Sequence, residues 1–296
     1  MDALLSGQLL LAALVTGFVY ALVALGLNLI YGTMRLLNIA HGELVMLGAY
    51  VTFWLFTLTG VSPLIAFVVA MVLGAAMGWA AYRGIFRSAI LSTTVVERLE
   101  ANSLLLFFGI SIILQNVISL IFKADLRGYQ YLDNVVEFGG IAITGNRLLV
   151  FGISCVVCVG LILFLRYSIF GLAIRALIQN RDATAIVGID VDRVQAISFG
   201  LGFGLAALAG ALISTMQPIS PFMGFPFTIA AFVVIILGGL GNMKGSLVGG
   251  LILGFLETNG VALTAPTYQS ILIYGVFIAV LLWRPQGILG GKRVAR

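Results

Sequence analysis

Charge is what this chain has least of. Of its 296 residues only 9% are Asp, Glu, Lys or Arg, while 61% are apolar or aromatic, and mean hydropathy is +1.15. A soluble domain carries about 25% charged and about 45–50% apolar residues, so a water-soluble fold is excluded. Cysteine is nearly absent as well. Cys155 and Cys158 lie inside the apolar run LLVFGISCVVCVGLILF; C-x-x-C zinc or redox sites need further ligands or a soluble context, so packing within a membrane is the reading here. His41 is the only histidine, and nothing supplies a metal-ligand set. No G-x-x-x-x-G-K-[ST] phosphate loop occurs, and GGLGNMKGS has the wrong spacing for one, so the chain is not expected to hydrolyse ATP. H-E-x-x-H and G-x-S-x-G are missing too, which removes the commonest metalloprotease and esterase readings. No basic region precedes the first apolar stretch, which is read as a retained helix and not a signal peptide. Connections are too short to hold a soluble domain of ~50 residues, so an energy source or soluble receptor must be separate.

What the sequence does have is apolar length. Nine segments stand out, at about Gln8–Ile30, Gly42–Leu58, Pro63–Tyr82, Ser103–Phe122, Leu148–Leu165, Val194–Thr215, Phe227–Leu240, Ser246–Leu263 and Tyr268–Trp283. A helix needs about 20 apolar residues to cross a bilayer. The expected fold is therefore all-α and polytopic, with about nine transmembrane helices in a range of eight to ten; Gly42–Leu58 and Phe227–Leu240 are short enough that one could be re-entrant. With nine spans, Arg35, Arg83, Arg87, Arg98, Arg166, Arg175, Arg181, Arg193, Lys244, Arg284, Lys292, Arg293 and Arg296 fall on one face, and Lys123, Arg127 and Arg147 on the other. The positive-inside rule then puts the N-terminus outside and the C-terminus in the cytoplasm. The net charge of +5 reflects this asymmetry and gives no support to a nucleic-acid role. Gly74/Gly78, Gly200/Gly204, Gly241/Gly245, Gly245/Gly249 and Gly250/Gly254 have G-x-x-x-G spacing, which points to close helix packing, with a smooth pore or moving interface as the other reading.

Some polar residues sit where a membrane penalises them. NLIYGTMRLLNIAHGELVMLGAY interrupts two apolar runs with Asn28, Arg35, Asn38, His41, Gly42 and Glu43. Such a cluster is tolerated at an interface, against protein, or along water. His41 is read as a hydrogen-bonded structural histidine, with a proton relay as the alternative. Glu257 falls roughly 18 Å into its helix, deep in the membrane. Pathway lining and an interhelical hydrogen bond, to Asn259 or Gln115, are both open for it.

The loop YSIFGLAIRALIQNRDATAIVGIDVDRV carries the most information on the basic side. Gly171–Val187 is expected to form one amphipathic helix, with Ala173, Ala176, Leu177, Ala183 and Ile186 on an apolar surface and Arg175, Arg181 and Asp182 on a polar one; Gly188 would end it. Such a helix could lie on lipid headgroups or enter a groove on a soluble partner.

At this loop a family resemblance enters. GLAIRALIQNRDATAIVGID resembles the cytoplasmic coupling segment of permeases in bacterial ABC importers for branched-chain amino acids. NIAHGELVMLGAY, FGISIILQN and LGGLGNMKGSLVGGLILGFLE are similar to the same family in the same order, as is the ending WRPQGILG. The resemblance covers nearly the whole chain and is closest to LivH-type permease subunits, through NIAHGE and VGIDVD. It implies a single permease domain over residues 1–296, with a coupling segment at about 168–193 that docks on ATPase subunits through Ala173, Arg175, Ala176, Gln179, Arg181, Asp182, Ala183 and Gly188. It further implies two cytoplasmic ATPases that hold the ATP, a second LivM-like permease, a periplasmic binding protein meeting the loops Lys123–Arg147 and Met216–Pro226, and a location in the bacterial inner membrane. No cofactor is expected in this chain and no enzymatic activity. Asn38, His41, Gly42, Glu43, Gly238, Gly239 and Gly241 would border the pathway, and Glu257 joins them as a candidate. One departure is YRGIFRSAIL after the third span, where the family often has a Tyr-Arg-Pro-type sequence. Urea and short amides move through similar permeases, and a self-contained carrier or channel, supported by the AHGE break and Glu257, is the alternative from another class.

Overall fold

A computed structural model describes residues 7–87, 96–138, 141–283 and 287–288. Helices account for most of them. α1 (Gly7–Met34) is 28 residues of nearly unbroken apolar sequence, about 42 Å long. It ends where Arg35 takes a positive φ of 58°. α2 (His41–Thr59) stops at Gly60, whose left-handed conformation lets its N–H bond the Phe56 carbonyl. Pro63 opens α3 (Pro63–Ala81), which runs on through a π-helical turn, Tyr82–Phe86. The helix therefore continues past the site where the family's proline is missing. α4 (Val96–Phe122) and α5 (Gly145–Tyr167) follow.

Three short polar caps shape the next segment. Ser168 accepts a hydrogen bond from the Gly171 N–H and starts α6 (Ile169–Gln179); Asn180 does the same for the Ala183 N–H and starts α7 (Arg181–Ile186). Asp190 then caps α8 (Val191–Ile213). α9 (Gly224–Gly238), α10 (Met243–Leu263, capped by Asn242) and α11 (Gln269–Trp283) complete the set.

Seven helices are long and apolar enough to cross a membrane: α1, α2, α3 with its extension, α4, α5, α8 and α10. α9 and α11 are apolar but shorter. Each of the nine expected segments overlaps one of these helices. The all-α expectation misses one feature. β1 (Val135–Phe138) pairs antiparallel with β2 (Ile141–Thr144), Val135 opposite Thr144. Open sheet edges are excluded from lipid, so this hairpin belongs to a connection outside the hydrocarbon.

α1 is the axis of the bundle, packed against α5, α8, α9 and α10, and buried almost continuously from Val19 to Met34. Glycines let the backbones meet. A Cβ on Gly26 would lie 2.6 Å from the Gly202 carbonyl, and one on Gly250 2.6 Å from the Ala21 nitrogen. Gly74 and Gly78 press against Ala207 and Phe203, and Gly200 and Gly204 against the Ala75 and Met71 carbonyls. Most of the G-x-x-x-G spacing is thus spent on helix contact. The outer helices expose apolar side chains such as Leu105, Leu120 and Val156. Cys158 is buried with its Sγ 3.8 Å from the Phe18 carbonyl, and both cysteines are free.

Candidate functional site

The eight pathway candidates fall in three places. The first is the start of α2. The segment from Leu36 to Ala40 is irregular yet mostly buried, and it turns back along α1, so that His41 meets Val23, three turns before the end of that helix. His41 Nε2 lies 3.0 Å from the Val23 carbonyl. A carbonyl only accepts, so Nε2 carries the proton and Nδ1 faces a buried position without a partner among the described residues. The Gly42 N–H donates to Thr228 Oγ1 at 2.8 Å, and that hydroxyl donates to the Ile39 carbonyl at 3.0 Å. There is no room for a Cβ on Gly42 beside the Gly224 carbonyl, where α9 begins. Two helix N-termini thus converge here, and Glu43 lies at the second: its Oε2 would be 2.8 Å from a Cβ on Gly224. Glu43 Oε1 accepts from Ser111 Oγ of α4 at 2.9 Å. Asn38 is fully buried, and among the described residues neither of its side-chain polar atoms has a partner, nor has Glu43 Oε2. Buried polar atoms are rarely left so.

The second place is the turn between α9 and α10, where Gly238, Gly239 and Gly241 sit. Gly239 and Gly241 have φ of 97° and 82°. A Cβ has no room on Gly238, against Gly245. The residue holding this turn was not among the candidates. Asn28 of α1, fully buried, donates to the Asn242 carbonyl at 3.0 Å and to Ser246 Oγ at 2.6 Å, and its Oδ1 accepts from the Gly241 N–H at 2.7 Å. The signal was in the sequence, as an asparagine deep in an apolar run. What it bonds was not. The short C-terminal piece Gly287–Ile288 reaches the same region, the Ile288 N–H donating to the Leu237 carbonyl at 2.7 Å. Arg284, Lys292, Arg293 and Arg296 lie outside the described residues, as does most of WRPQGILG.

Glu257 is alone in the third place. Its Oε1 accepts from Gln269 Nε2 of α11 at 2.6 Å, with the Tyr20 hydroxyl beside the carboxyl. Asn259 instead bonds the Phe255 carbonyl, and among the described residues Glu257 is held by Gln269 and not by Asn259 or Gln115. The missed partners are Gln269, 12 residues on at the start of α11, and Tyr20 of α1. Glu257 also lines a cleft of about 450 Å³ with Arg147, Gln217 and Gln269.

The expected coupling helix is two helices. Asn180 breaks it in an extended conformation, because its side chain caps α7 while its own N–H still closes α6 on the Ala176 carbonyl. The apolar surface also differs: Gly171, Ile174, Leu177 and Thr184 are buried, Ala173 and Ala176 half-buried, and Ala183 exposed. Ile186 and Val187 are 85% and 72% exposed. Arg175, Gln179, Arg181 and Asp182 are exposed, and Gly188, with φ 83°, follows the end of α7 in open space. The base of the segment touches the second place, since a Cβ on Gly241 would lie 3.5 Å from Ile178 Cγ2.

At the other end of the bundle the two connections Lys123–Arg147 and Met216–Pro226 join. Arg127 and Ile219 exchange backbone hydrogen bonds of 3.0 and 2.7 Å, and Asn146 Nδ2 donates to the Thr215 carbonyl at 2.9 Å. Tyr129 and Ser214 hydroxyls are 2.9 Å apart. Burial pushes the Tyr129 phenol up to about 12.

A bundle with seven helices long and apolar enough to cross a bilayer is that of a multi-pass membrane protein. The family follows from comparison. The model of the branched-chain amino acid transport system permease component matches residues 9–281, and the chain belongs to that family. It is 32% identical over 301 residues to the high-affinity branched-chain amino acid transport system permease protein LivH of Escherichia coli K12, covering 95% of this chain and 94% of that one. It is 32% identical over 304 residues to the permease protein BraD of Pseudomonas aeruginosa, covering 98% and 97%. The LivM permease protein of Escherichia coli K12 is 24% identical over 294 residues, 92% of this chain and 68% of that one. No solved structure matches.

Proposed function

We propose that this chain is the LivH-type permease subunit of an ATP-driven importer of branched-chain amino acids. It acts as one permease domain in a bacterial inner membrane, paired with a LivM-like permease. A periplasmic binding protein delivers the solute to the joined Lys123–Arg147 and Met216–Pro226 connections. Two cytoplasmic ATPase subunits hold the ATP, and this chain needs no cofactor of its own. The reading takes nine crossings, counting α9 and α11, with the N-terminus outside and the C-terminus inside.

The observation that carries it is the projecting α6–α7 segment. An isoleucine and a valine exposed at its tip gain nothing for this chain alone, and they suit a groove on a soluble partner. Closure of the ATPase pair would then push the segment, and Ile178 would pass the movement to the Gly239–Gly241 turn and the end of α1. Asn38, His41 and Glu43 are buried in the present arrangement. They would meet solute when α2 and α9 part at Gly42 and Gly224.

The test is Ile186→Asp. Because Ile186 is exposed, the variant should fold and keep the thermal unfolding midpoint of the wild type. It should lose the ATPase subunits on purification, and uptake with them. Undiminished ATPase recovery and uptake would sink the coupling assignment.

A further inference from the structure

A second site lies beside the coupling segment. Between the end of α5, the face of α6 and the start of α10 there is a cleft of about 450 Å³. Arg166, Arg175 and Lys244 line it, from three different helices, with Gln179 and Asn242 between them; no acidic residue lines it among the described residues. The one ion pair formed among the described residues, Arg87 with Asp192, is elsewhere. α10 begins at the cleft, so the positive end of its dipole adds to the three cations. The remaining wall is apolar, including Ile162 and Leu165.

Three cations gathered around a partly apolar cleft, with no carboxylate lining it among the described residues, call for an anion with a hydrocarbon attached. The neighbouring surface fits this. Phe164, Tyr167, Ile169 and Leu172 are exposed along the same turns of α5 and α6, and the Arg166 guanidinium sits 5.3 Å from the Tyr167 ring centre. An arginine and an exposed tyrosine at the last turn of an apolar helix mark the headgroup level of a bilayer. We propose that the cleft holds the phosphate of an anionic phospholipid, its acyl chains lying along the exposed face of α5. A lipid seated there touches Ile178 and Gly241 as well, so it joins the coupling segment to the α9–α10 turn. The inference rests on the membrane reading of α5 and α10. It does not depend on which solute is moved.

The test is a lipid competition read by native mass spectrometry on the full chain, in the complex as it is purified. Phosphatidylglycerol and phosphatidylcholine with matched acyl chains are offered together. The wild type should retain phosphatidylglycerol in preference. Each cation near an anionic lipid contributes about fivefold, so Arg166→Gln with Lys244→Gln should cut the preference by about tenfold or more. Arg166→Lys with Lys244→Arg should keep it, which separates loss of charge from loss of fold. Arg147→Gln, on the opposite face, should also keep it.

No preference in the wild type, or the same preference in the Gln double variant, overturns the site. Binding of inorganic phosphate that the double variant abolishes, with no choice between the two lipids, overturns the lipid as source and leaves a soluble anion. A preference present in the isolated chain and absent once ATPase subunits are bound overturns it in favour of a protein surface covering the cleft. None of these outcomes reads transport, so failure here leaves the importer assignment standing.

Discussion

Ile178 of α6 is wedged between the end of α1 and the α9–α10 turn. A Cβ on Gly32 would lie 3.1 Å from its Cδ1, and one on Gly241 3.5 Å from its Cγ2. The two glycines leave the space that the isoleucine fills, and through it a short helix on the bundle's face reaches two core helices. Ile178→Ala should empty that space. The side chain is half-buried, so a loss of about 1–3 kcal/mol is expected, at or below the range for a fully buried site. If the chain couples to ATPase subunits as proposed, uptake should fall while they stay bound, measured as solute moved per ATP in proteoliposomes. An unchanged ratio would show that movement does not pass through this contact.

Asn28 makes two hydrogen bonds to the same turn and a third to Ser246 in the first turn of α10. Asn28→Ala leaves the Gly241 N–H and the Asn242 carbonyl without that partner in a buried place, which costs about 2–4 kcal/mol. The thermal unfolding midpoint in detergent should drop clearly. A midpoint equal to that of the wild type would mean that the turn is held by its own backbone.

Glu43 and Ser111 separate charge from hydrogen bonding. Glu43→Gln keeps an acceptor for the Ser111 hydroxyl and removes the charge, so the chain should fold normally. If the carboxylate serves the pathway, uptake drops by about tenfold, the loss expected for about 1.4 kcal/mol. Ser111→Ala strands Glu43 Oε1 and should lower stability by about 1–3 kcal/mol. Normal uptake in Glu43→Gln would make Glu43 a structural residue.

Tyr129 gives a prediction in pH. Its folded value of about 12 lies above the ordinary 10.0, so the folded chain holds the proton more tightly than the unfolded chain. Stability from this group is intact below pH 10 and is lost as pH rises from 10 towards 12. Tyr129→Phe cannot titrate. It should lose the bond to Ser214, worth about 1 kcal/mol at neutral pH, and show a shallower fall of the unfolding midpoint above pH 10. Parallel falls in both proteins would place the alkaline sensitivity elsewhere.

The sequence by itself determined the class of protein and its elements. Apolar runs long enough to cross a bilayer form helices whatever their neighbours do, since lipid leaves the backbone no other partner. That is why all nine segments overlap a helix, and why the polar start of α2 was visible as an anomaly. Caps such as Ser168 and Asp190 are local too, acting on N–H groups three residues away. The break at Asn180 was legible in principle, because asparagine caps helices well, yet a continuous helical period hid it.

Only the tertiary structure decided which elements meet. It placed Asn28 on the α9–α10 turn, Glu257 on Gln269, and Glu43 between Ser111 and the start of α9, joining residues up to 218 positions apart. Periodicity carries no record of such partners: a buried polar side chain needs some partner, and which one is set by the glycines where backbones touch. Gly42 and Gly224 show this, as does Gly48, which has no room for a Cβ beside Ala207. Their spacing announced close packing; which helix came close was fixed by the shape of the whole bundle.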